Sequence, residues 1–381
     1  MTASTPPKVN TRLLASALLR RGGMAPDPLE SLRLGEIYIM MRFACDLRCA
    51  ACSLWGDTGA LHQAGAAARE PAKGRGPDWT EVIRQTAPFK PRMVNFSGGE
   101  PLLHDKWLAP AKEAMRLGIE TSLTTNGVHL EKRLPSLCGA IDQVNLSLNA
   151  APLISGLIRK GPEGHYEKMM RGLRLFMRIK KALGQKAPRL RLMCTVFDGN
   201  AGHLLELLSY LKASGIEADQ YYFQHLIYNT GPELSAQEKE LKKMGMKPWF
   251  MRGYSLLPKG LDSKALSLEL DGIIRSDRRV SLSAGLKGKT LDNHYLGKHG
   301  WTMPAYCAAP WRDITMLPNG DVWICPDYHI GGIMEKPFSA IWNGAAARRL
   351  RARLLKRLLP GCRGCFHYYC DKQTGAGKER L

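Results

Sequence analysis

The sequence lacks the features that would assign it to the membrane or the secreted proteins. It contains no apolar run of the roughly 18 to 20 residues that a membrane-spanning helix requires. Its N-terminus carries no apolar stretch followed by a small-residue cleavage site, the mark of a secretory signal. We therefore expect a cytoplasmic protein. At 381 residues and 44% hydrophobic content, it is long enough for two or three packed domains.

Acidic residues are few relative to basic ones. The chain has 34 aspartates and glutamates against 55 lysines and arginines, and its formal net charge is +21. Such a surface attracts acidic substrates, nucleic acid, anionic lipid headgroups or an acidic electron donor such as flavodoxin. A basic surface that is simply solvated fits equally well, so charge alone does not select the partner.

The placement of the cysteines is more informative. Of ten cysteines, eight fall in two groups with metal-ligand spacing, which favours a reducing compartment over a disulfide framework. The first group is Cys45, Cys49 and Cys52, and no fourth cysteine lies near it. Three thiolates on one loop can hold three irons of a cubic iron-sulfur cluster and leave the fourth iron open to a small molecule. A structural zinc site would need four ligands, usually in two paired knuckles.

A glycine-rich segment follows about one strand-helix unit later. A short apolar strand is predicted over residues 93–96, and it leads into Ser97, Gly98, Gly99 and Glu100. Glycines at this point let the backbone approach a ligand closely, and the Glu100 carboxylate can accept a hydrogen bond from an ammonium group. The segment therefore predicts a ligand site.

These two motifs resemble the signature of the radical S-adenosylmethionine (SAM) enzymes. The resemblance implies that Cys45, Cys49 and Cys52 hold a 4Fe-4S cluster whose open iron is chelated by the amino and carboxylate groups of SAM. It also implies that residues 97–100 seat the methionine amino group, with Glu100 as its acceptor. One electron from the cluster then cleaves SAM and releases a 5'-deoxyadenosyl radical.

The rest of the first two thirds of the chain alternates strands with helices. Strands are predicted over 36–43, 93–96, 120–124, 144–149, 190–196 and 220–226, and helices over 105–117, 166–183 and 201–213. This alternation indicates a parallel sheet with right-handed crossovers. The resemblance implies an α/β fold with a partial (β/α)6 barrel over residues 34–230, its active site at the C-terminal ends of the strands.

Two further residues stand where many relatives contact SAM. Ser147 ends the fourth predicted strand, and Arg159 lies in the segment after it, where its guanidinium can pair with the SAM carboxylate as a bidentate fork. The alternative is that Ser147 is a satisfied strand end and Arg159 a surface charge.

The sequence departs from the family pattern at two positions. Ala51 precedes the third cysteine, where the family usually has an aromatic residue near the adenine, so Phe43 or Trp55 would have to fill that space. Asn149 replaces the acid that usually follows the fourth strand. Both departures bear on nucleoside binding and neither touches the cluster ligands.

Two regions flank or interrupt the repeat. Residues 1–33 form a basic arm with a predicted amphipathic helix over 11–21, which either packs against the main domain or touches a membrane surface. Residues 231–300 are predicted as a bridging region that helps enclose substrate. That region mixes a charged helix over 235–244 with glycine-rich basic loops over 287–298.

The C-terminal region, residues 301–381, contains the second cysteine group. A turn at 318–321 joins strands predicted over 314–317 and 322–324. The region resembles the auxiliary-cluster domain called SPASM, or its shorter twitch form, which implies a small α+β domain with a second 4Fe-4S cluster. Four residues are its predicted ligands, Cys307, Cys325, Cys362 and Cys365; zinc on the same four is the alternative, and Cys370 is spare.

Asp327 follows Cys325 by two residues. Related enzymes that oxidise a substrate place a general base at this point, beside the auxiliary cluster. A base is useful there because loss of a proton makes a substrate radical strongly reducing, and the nearby cluster can then take its electron. Asp327 is therefore the predicted catalytic base, with an ordinary turn aspartate as the alternative.

The sequence thus predicts a radical SAM oxidoreductase or modifying enzyme that abstracts hydrogen from an unactivated carbon of its substrate. A peptide is the favoured substrate. Its expected partners are SAM, the substrate and a flavodoxin- or ferredoxin-type electron donor. One alternative is modification of an acidic small molecule, a sugar or a lipid headgroup. The alternative from another class is a non-catalytic iron-sulfur or zinc protein that binds nucleic acid. For the predicted enzyme, nucleic acid is not an expected partner.

Overall fold

The computed structural model describes residues 27–365 except 65–75, 247, 284, 299–305 and 326, together with Val9, Thr11 and Leu14. Ten strands of these residues form one sheet. They are β1 (Glu36–Met40), β2 (Met93–Ser97), β3 (Glu120–Thr125), β4 (Gln143–Ser147), β5 (Arg189–Val196), β6 (Gln220–His225), β7 (Val280–Leu282), β8 (Ile314–Met316), β9 (Asp321–Trp323) and β10 (His329–Gly332). Their order across the sheet is β10-β9-β8-β1-β2-β3-β4-β5-β6-β7.

Strands β1 to β6 are neighbours in chain order and run parallel, which confirms the predicted α/β fold class and its six strand-helix units. Helices connect them and continue to the C-terminus. They are α1 (Ala60–Ala64), α2 (Trp79–Thr86), α3 (Leu108–Arg116), α4 (Leu130–Leu137), α5 (Pro152–Ile158), α6 (His165–Leu183), α7 (Leu204–Ala213), α8 (Gly231–Lys243), α9 (Ser263–Ser276), α10 (Lys289–Tyr295), α11 (Phe338–Trp342) and α12 (Ala345–Lys356).

Local sequence explains why these elements form where they do. In β5, buried and more exposed residues alternate along the whole strand, as expected where one face packs against helices. The Asp78 side chain caps α2 by accepting hydrogen bonds from the backbone N–H groups of Thr80 and Glu81. Thr230 and Glu233 form a reciprocal capping box that begins α8 immediately after the β6 loop.

The strand-helix repeat continues further than the sequence predicted. After α9, the short strand β7 pairs parallel with β6, with Tyr221 opposite Val280, so residues 231–300 extend the sheet. Helix α10 occupies residues predicted as glycine-rich loops, and it buries Leu291 and Tyr295. The prediction was wrong here because the apolar positions of these short elements are hidden among glycines and lysines.

The C-terminal domain adds its strands to the same sheet. Strand β8 pairs parallel with β1, with Ile37 opposite Ile314, and β9 and β10 follow as an antiparallel meander. The predicted turn before β9 is confirmed, and Gly320 within it has a φ of +91°, a conformation that glycine adopts readily. The C-terminal domain, which carries the second cysteine group, is therefore joined edge to edge with β1, the strand that leads to the first group.

The segment before β1 packs on this C-terminal domain rather than standing apart as an arm. The Ser31 hydroxyl donates to the Trp311 carbonyl at 2.6 Å, and the Trp311 indole N–H donates to the Pro28 carbonyl at 2.8 Å. Arg348 forms ion pairs with both Asp27 and Glu30. The predicted helix over 11–21 lies outside the described residues, apart from its positions 11 and 14.

No helix within the described ranges has both the length and the apolar character that crossing a membrane requires.

Candidate active site

The first cysteine group lies where β1 ends, at the C-terminal edge of the sheet. Backbone amides bond two of its sulfur atoms: the N–H of Leu47 donates to Cys45 Sγ at 3.4 Å and that of Trp55 to Cys52 Sγ at 3.3 Å. Burial raises the pKa of Cys45 to about 12, because a thiolate there lacks solvation. Metal binding would release that proton, since the thiolate is the ligand.

Arg159 lies beside this loop, and Ser147 is joined to Arg159 through its backbone carbonyl; the SAM contact predicted for both stays a prediction. Residues Arg48–Cys49 pair antiparallel with Arg159–Lys160, which places Arg159 directly opposite Cys49. The Arg159 guanidinium, 2% exposed, donates to the carbonyls of Ser147 at 2.7 Å and Asn126 at 3.1 Å. Its Nε has no hydrogen-bond partner among the described residues. Burial raises the pKa of Cys49, and the adjacent Arg159 charge opposes the rise.

The glycines of the second motif serve a purpose that the sequence did not reveal. A Cβ on Gly98 would lie 2.4 Å from the Arg42 carbonyl oxygen, and one on Gly99 would lie 2.2 Å from that of Ala44. The backbone N–H groups of Gly99 and Glu100 donate to these same two carbonyls. The glycine pair therefore lets the segment lie directly against the backbone that enters the cysteine loop, where the sequence had suggested close approach to a ligand.

Glu100 is completely buried at this edge of the sheet. Its Oε1 accepts from the Thr125 hydroxyl at 2.7 Å and the Leu102 N–H at 3.0 Å, and its Oε2 accepts from the Asn126 N–H at 2.7 Å. Burial raises its pKa to about 7 in spite of these bonds. No lysine or arginine of the described part pairs with it, so the site holds a fixed carboxylate that would be stabilised by a cation.

Asn126, directly after β3, connects the two motifs. Its side-chain amide donates to Asp46 Oδ1 at 2.7 Å, and His129 Nε2 lies 2.9 Å from the other oxygen of Asp46. The sequence signal for this contact was the run of polar residues directly after β3. Neighbouring parallel strands end at the same edge of a sheet, so these residues could be expected near the cysteine loop.

The residues around Ala51 also differ from the expectation. Ala51 packs against an apolar cluster that includes Phe197, whereas Phe43 and Trp55 belong to a different cluster. The aromatic rings in the cluster beside Ala51 therefore belong to Phe197, directly after β5, and Tyr228, in the loop after β6. The Asn149 side chain is occupied in the fold, since its oxygen accepts from the Thr195 N–H at 3.0 Å.

The second cysteine group comes together at the hairpin of the C-terminal domain. Cys325 has a φ of +58°, and its pKa is raised chiefly by burial and further by three neighbouring thiols, those of Cys307, Cys362 and Cys365. Among the described residues, no three cysteine, histidine or acidic side chains converge tightly enough for a single metal ion. Four thiols brought together in this way are a donor set that either an iron-sulfur cluster or a zinc ion accepts. Cys370 lies outside the described residues.

Asp327 lies beside this group, but its carboxylate is already engaged. It is 1% exposed, and it accepts the backbone N–H groups of Trp249 at 2.8 Å, of Phe250, and of Met251 at 3.0 Å. Burial raises its pKa, and these three bonds oppose the rise. This geometry describes a cap for residues 249–251. The catalytic role predicted for Asp327 stays a prediction. Its carboxylate accepts three hydrogen bonds from the backbone, which is the pattern of a cap rather than of a free general base.

The residues that follow the capped segment contact the first cysteine loop. A Cβ on Gly253 would lie 1.9 Å from the Ser53 carbonyl oxygen. Tyr254 is hydrogen-bonded to Ser53, and its raised pKa reflects burial first, with contributions from the thiols of Cys365 and Cys52. Tyr254 therefore lies near a thiol of each group, a placement that sequence alone gave no means of finding.

Two family models match the chain. The model described as "Radical SAM superfamily" matches residues 39–183, and the SPASM model, described as "Iron-sulfur cluster-binding domain", matches residues 307–366. The first covers the cysteine triplet and the Glu100 segment, and the second covers the four cysteines of the C-terminal group.

Curated proteins match over different lengths. A probable GTP 3',8-cyclase of Methanosarcina acetivorans is 40% identical over 100 residues, 24% of this chain and only 28% of the cyclase. The pre-heme d1 synthase of Dinoroseobacter shibae is 27% identical over 308 residues, 75% of this chain and 70% of the synthase. The PqqA peptide cyclase of Gluconobacter oxydans is 24% identical over 283 residues, 70% of this chain and 66% of the cyclase.

The fold is shared with a solved structure of SuiB from Streptococcus suis bound to its precursor peptide SuiA. The TM-score is 0.56 at 17% sequence identity, and the match covers 90% of this chain and 71% of SuiB. Identity at this level supports the fold alone.

Proposed function

Because this chain belongs to the radical SAM superfamily of enzymes and ends in a SPASM domain, we propose that it cleaves SAM reductively and abstracts hydrogen from an unactivated carbon of a peptide. The observation that carries the proposal is Glu100. It is a buried carboxylate that pairs with no lysine or arginine of the described residues, and it is fixed at the same edge of the sheet as the three cysteines. A carboxylate in that state is suited to receive the ammonium group of SAM.

The residues present fit two 4Fe-4S clusters and SAM. Cys45, Cys49 and Cys52 would hold the first cluster, and the four C-terminal cysteines, Cys307, Cys325, Cys362 and Cys365, would hold the second. Cluster and SAM, when bound, supply a 5'-deoxyadenosyl radical through one-electron cleavage of the sulfonium. A flavodoxin- or ferredoxin-type protein is the proposed source of the electron, in keeping with the net charge of +21.

The chain's own side chains orient the cofactor. Glu100 keeps lone pairs beyond its three protein hydrogen bonds, so it can accept from an ammonium without losing its support. Arg159 is anchored by two carbonyls and keeps its unpartnered Nε for a carboxylate. Asn126 bonds both Asp46 and Glu100, and thereby holds the cysteine loop and the carboxylate in one fixed arrangement.

A peptide substrate is favoured by two of the similar proteins. The PqqA peptide cyclase aligns along most of this chain, and SuiB shares its fold in complex with a precursor peptide. A second candidate is an acidic small molecule, which the net charge of +21 favours. The relatives named as a GTP cyclase and a pre-heme d1 synthase point the same way.

Anaerobic reconstitution tests the chemistry. We expect about eight irons per chain, the sum of two four-iron clusters, and 5'-deoxyadenosine on addition of SAM and dithionite. Replacing Cys45, Cys49 and Cys52 together with alanine should leave about four irons and abolish 5'-deoxyadenosine. Absence of 5'-deoxyadenosine from a protein that carries both clusters would remove the proposal.

A matched pair of variants tests the role of Glu100. Glu100→Gln should weaken SAM binding, because the amide offers the ammonium no charge. Glu269→Gln is the control, since Glu269 on α9 is also buried and accepts backbone N–H groups of Gly202 and Leu204 near the start of α7. Equal SAM affinity in both variants would contradict the assignment. Transfer of deuterium into 5'-deoxyadenosine from labelled peptides or from acidic metabolites distinguishes the two substrate classes.

A further inference from the structure

Four aromatic side chains form a continuous cluster that begins at the first cysteine loop. We call Phe43, Trp249, Phe250 and Trp323 the aromatic cluster. Trp249 is at its centre, with ring centroids 6.0 Å from Phe43, 5.6 Å from Phe250 and 5.7 Å from Trp323, each pair tilted or edge-to-face. Such pairs hold their geometry more firmly than aliphatic contacts do.

The aromatic cluster reaches from one cysteine group to the other. Phe43 stands two residues before Cys45, and Cys52 packs against the same apolar group. At the other end, Trp323 is the last residue of β9, two residues before Cys325. The aromatic cluster therefore includes the residue two positions before a cysteine of each group.

The position of Trp249 and Phe250 is fixed by the second cysteine group. Asp327, two residues after Cys325, accepts both of their backbone N–H groups. The two indoles and Phe250 are only half-buried, so each ring keeps an open side although its backbone is held. Fixed, half-open aromatic rings beside reactive groups are a common lining of substrate sites.

The composition of the aromatic cluster and its apolar neighbours determines which substrate groups can bind there. The apolar members, buried and half-buried, are Met40, Phe43, Leu54, Leu61 and Leu317, with Cys52, Trp55, Trp249, Phe250 and Trp323. Two titratable side chains border them: the Arg48 guanidinium lies 4.3 Å from the Trp55 ring, and the His329 ring lies 5.7 Å from that of Trp323. A strongly polar substrate group would lose water against the apolar members and gain little from them in exchange. An apolar group would gain the free energy of burial, and an aromatic one would also gain ring contacts.

We propose that the aromatic cluster binds an apolar side chain, aromatic or large aliphatic, of the substrate peptide, and so positions that residue between the two cysteine groups. This inference rests on the proposed function and narrows its substrate class. Trp249 and Trp323 are specificity-determining residues, and Asp327 is a positioning residue that acts through the backbone of Trp249 and Phe250.

Peptide binding without turnover tests the inference. The probes are acetylated, amidated pentapeptides Ala-Ala-X-Ala-Ala with X as Phe, Leu, Ser or Asp. Each is equilibrated by dialysis with the anaerobic holoenzyme and SAM in the absence of reductant. We expect the Phe and Leu peptides to bind about tenfold more tightly than the Ser and Asp peptides, the effect of burying one large apolar side chain.

Variants identify the surface responsible. Trp249→Ala should remove most of the preference, and Trp249→Phe should keep most of it. If Trp249→Ala fails to fold, Trp323→Leu tests the preference at a second residue of the aromatic cluster. Phe89→Leu is the control, because Phe89 is half-buried against Phe338 at 5.3 Å, outside the aromatic cluster, and should leave the preference unchanged.

Equal affinity for all four peptides, absence of binding by every one, preference for Asp, or a preference that survives Trp249→Ala and Trp323→Leu would each overturn the inference. The proposed function is judged separately, by 5'-deoxyadenosine formation once dithionite is added. An enzyme that forms 5'-deoxyadenosine but shows no preference at X would refute only the aromatic cluster's role.

Discussion

Replacing Asp327 by asparagine separates the catalytic role that the sequence predicts from the capping role that the contacts describe. In the native protein, one carboxylate oxygen accepts from Trp249 and Phe250, and the other accepts from Met251. A carboxamide has only one oxygen. If it keeps the first two bonds, its NH2 group faces the Met251 N–H, and two buried donors oppose each other.

The magnitude follows from that count. A buried donor left without an acceptor costs about 1–3 kcal/mol, and the loss of charge returns part of that because a neutral side chain is easier to bury. We expect residues 249–251 to be destabilised by about 2 kcal/mol. That corresponds to amide exchange roughly 30-fold faster in this segment, if exchange occurs by local opening.

Hydrogen-deuterium exchange followed by mass spectrometry, on the anaerobic holoenzyme, is the assay. Asp78→Asn is the matched control, because Asp78 also accepts two backbone N–H groups, through a single exposed oxygen that asparagine can replace. The general-base role predicts the opposite pattern for Asp327→Asn: unchanged exchange over 249–251, normal 5'-deoxyadenosine formation and loss of substrate oxidation. That pattern would refute the capping argument.

Three further outcomes follow from the site and its supports. Burial raises the pKa of Glu100 to about 7, so the group is neutral below that pH; SAM affinity should fall by up to about tenfold per pH unit below 7, and Glu100→Gln should abolish this dependence, measured by anaerobic equilibrium dialysis. Gly99→Ala would place a Cβ 2.2 Å from the Ala44 carbonyl oxygen, and we expect it to displace the cysteine loop and lose about four irons; Gly156→Ala, with open space around its Cβ, is the control. Arg351→Met should destabilise the C-terminal domain by roughly 3 kcal/mol, because the buried guanidinium donates to three protein oxygens; an unchanged melting temperature would contradict this.

The sequence predicted well the features encoded within short stretches. The cysteine triplet and the Glu100 segment each occupy a few consecutive residues at a strand end, so their meeting at one edge of a parallel sheet follows from topology. Arg159, predicted to contact the SAM carboxylate, lies beside the first cysteine loop, and that contact stays a prediction. Its backbone pairs with Cys49, although the interval from the fourth strand gave no rule that required it.

Features that join distant residues were beyond sequence reasoning. Asp327 looked like a base because it follows Cys325, but its role is decided by three amides more than seventy residues earlier in the chain. The glycine pair likewise has the family pattern, and only the structure shows that the Cβ positions are taken by carbonyl oxygens of residues 42 and 44. Strand β7 was missed because three residues carry too little periodicity to predict a strand.

The pairing of β1 with β8 has a consequence for folding during synthesis on the ribosome. Strand β1 is synthesised early, whereas the strand that covers one of its edges emerges after most of the chain has been made. During that interval a row of backbone donors and acceptors on β1 stays available to other nascent chains, a known route to aggregation. A truncated chain that lacks β8 would keep this edge of β1 unpaired. Premature termination should therefore yield insoluble protein rather than a folded barrel.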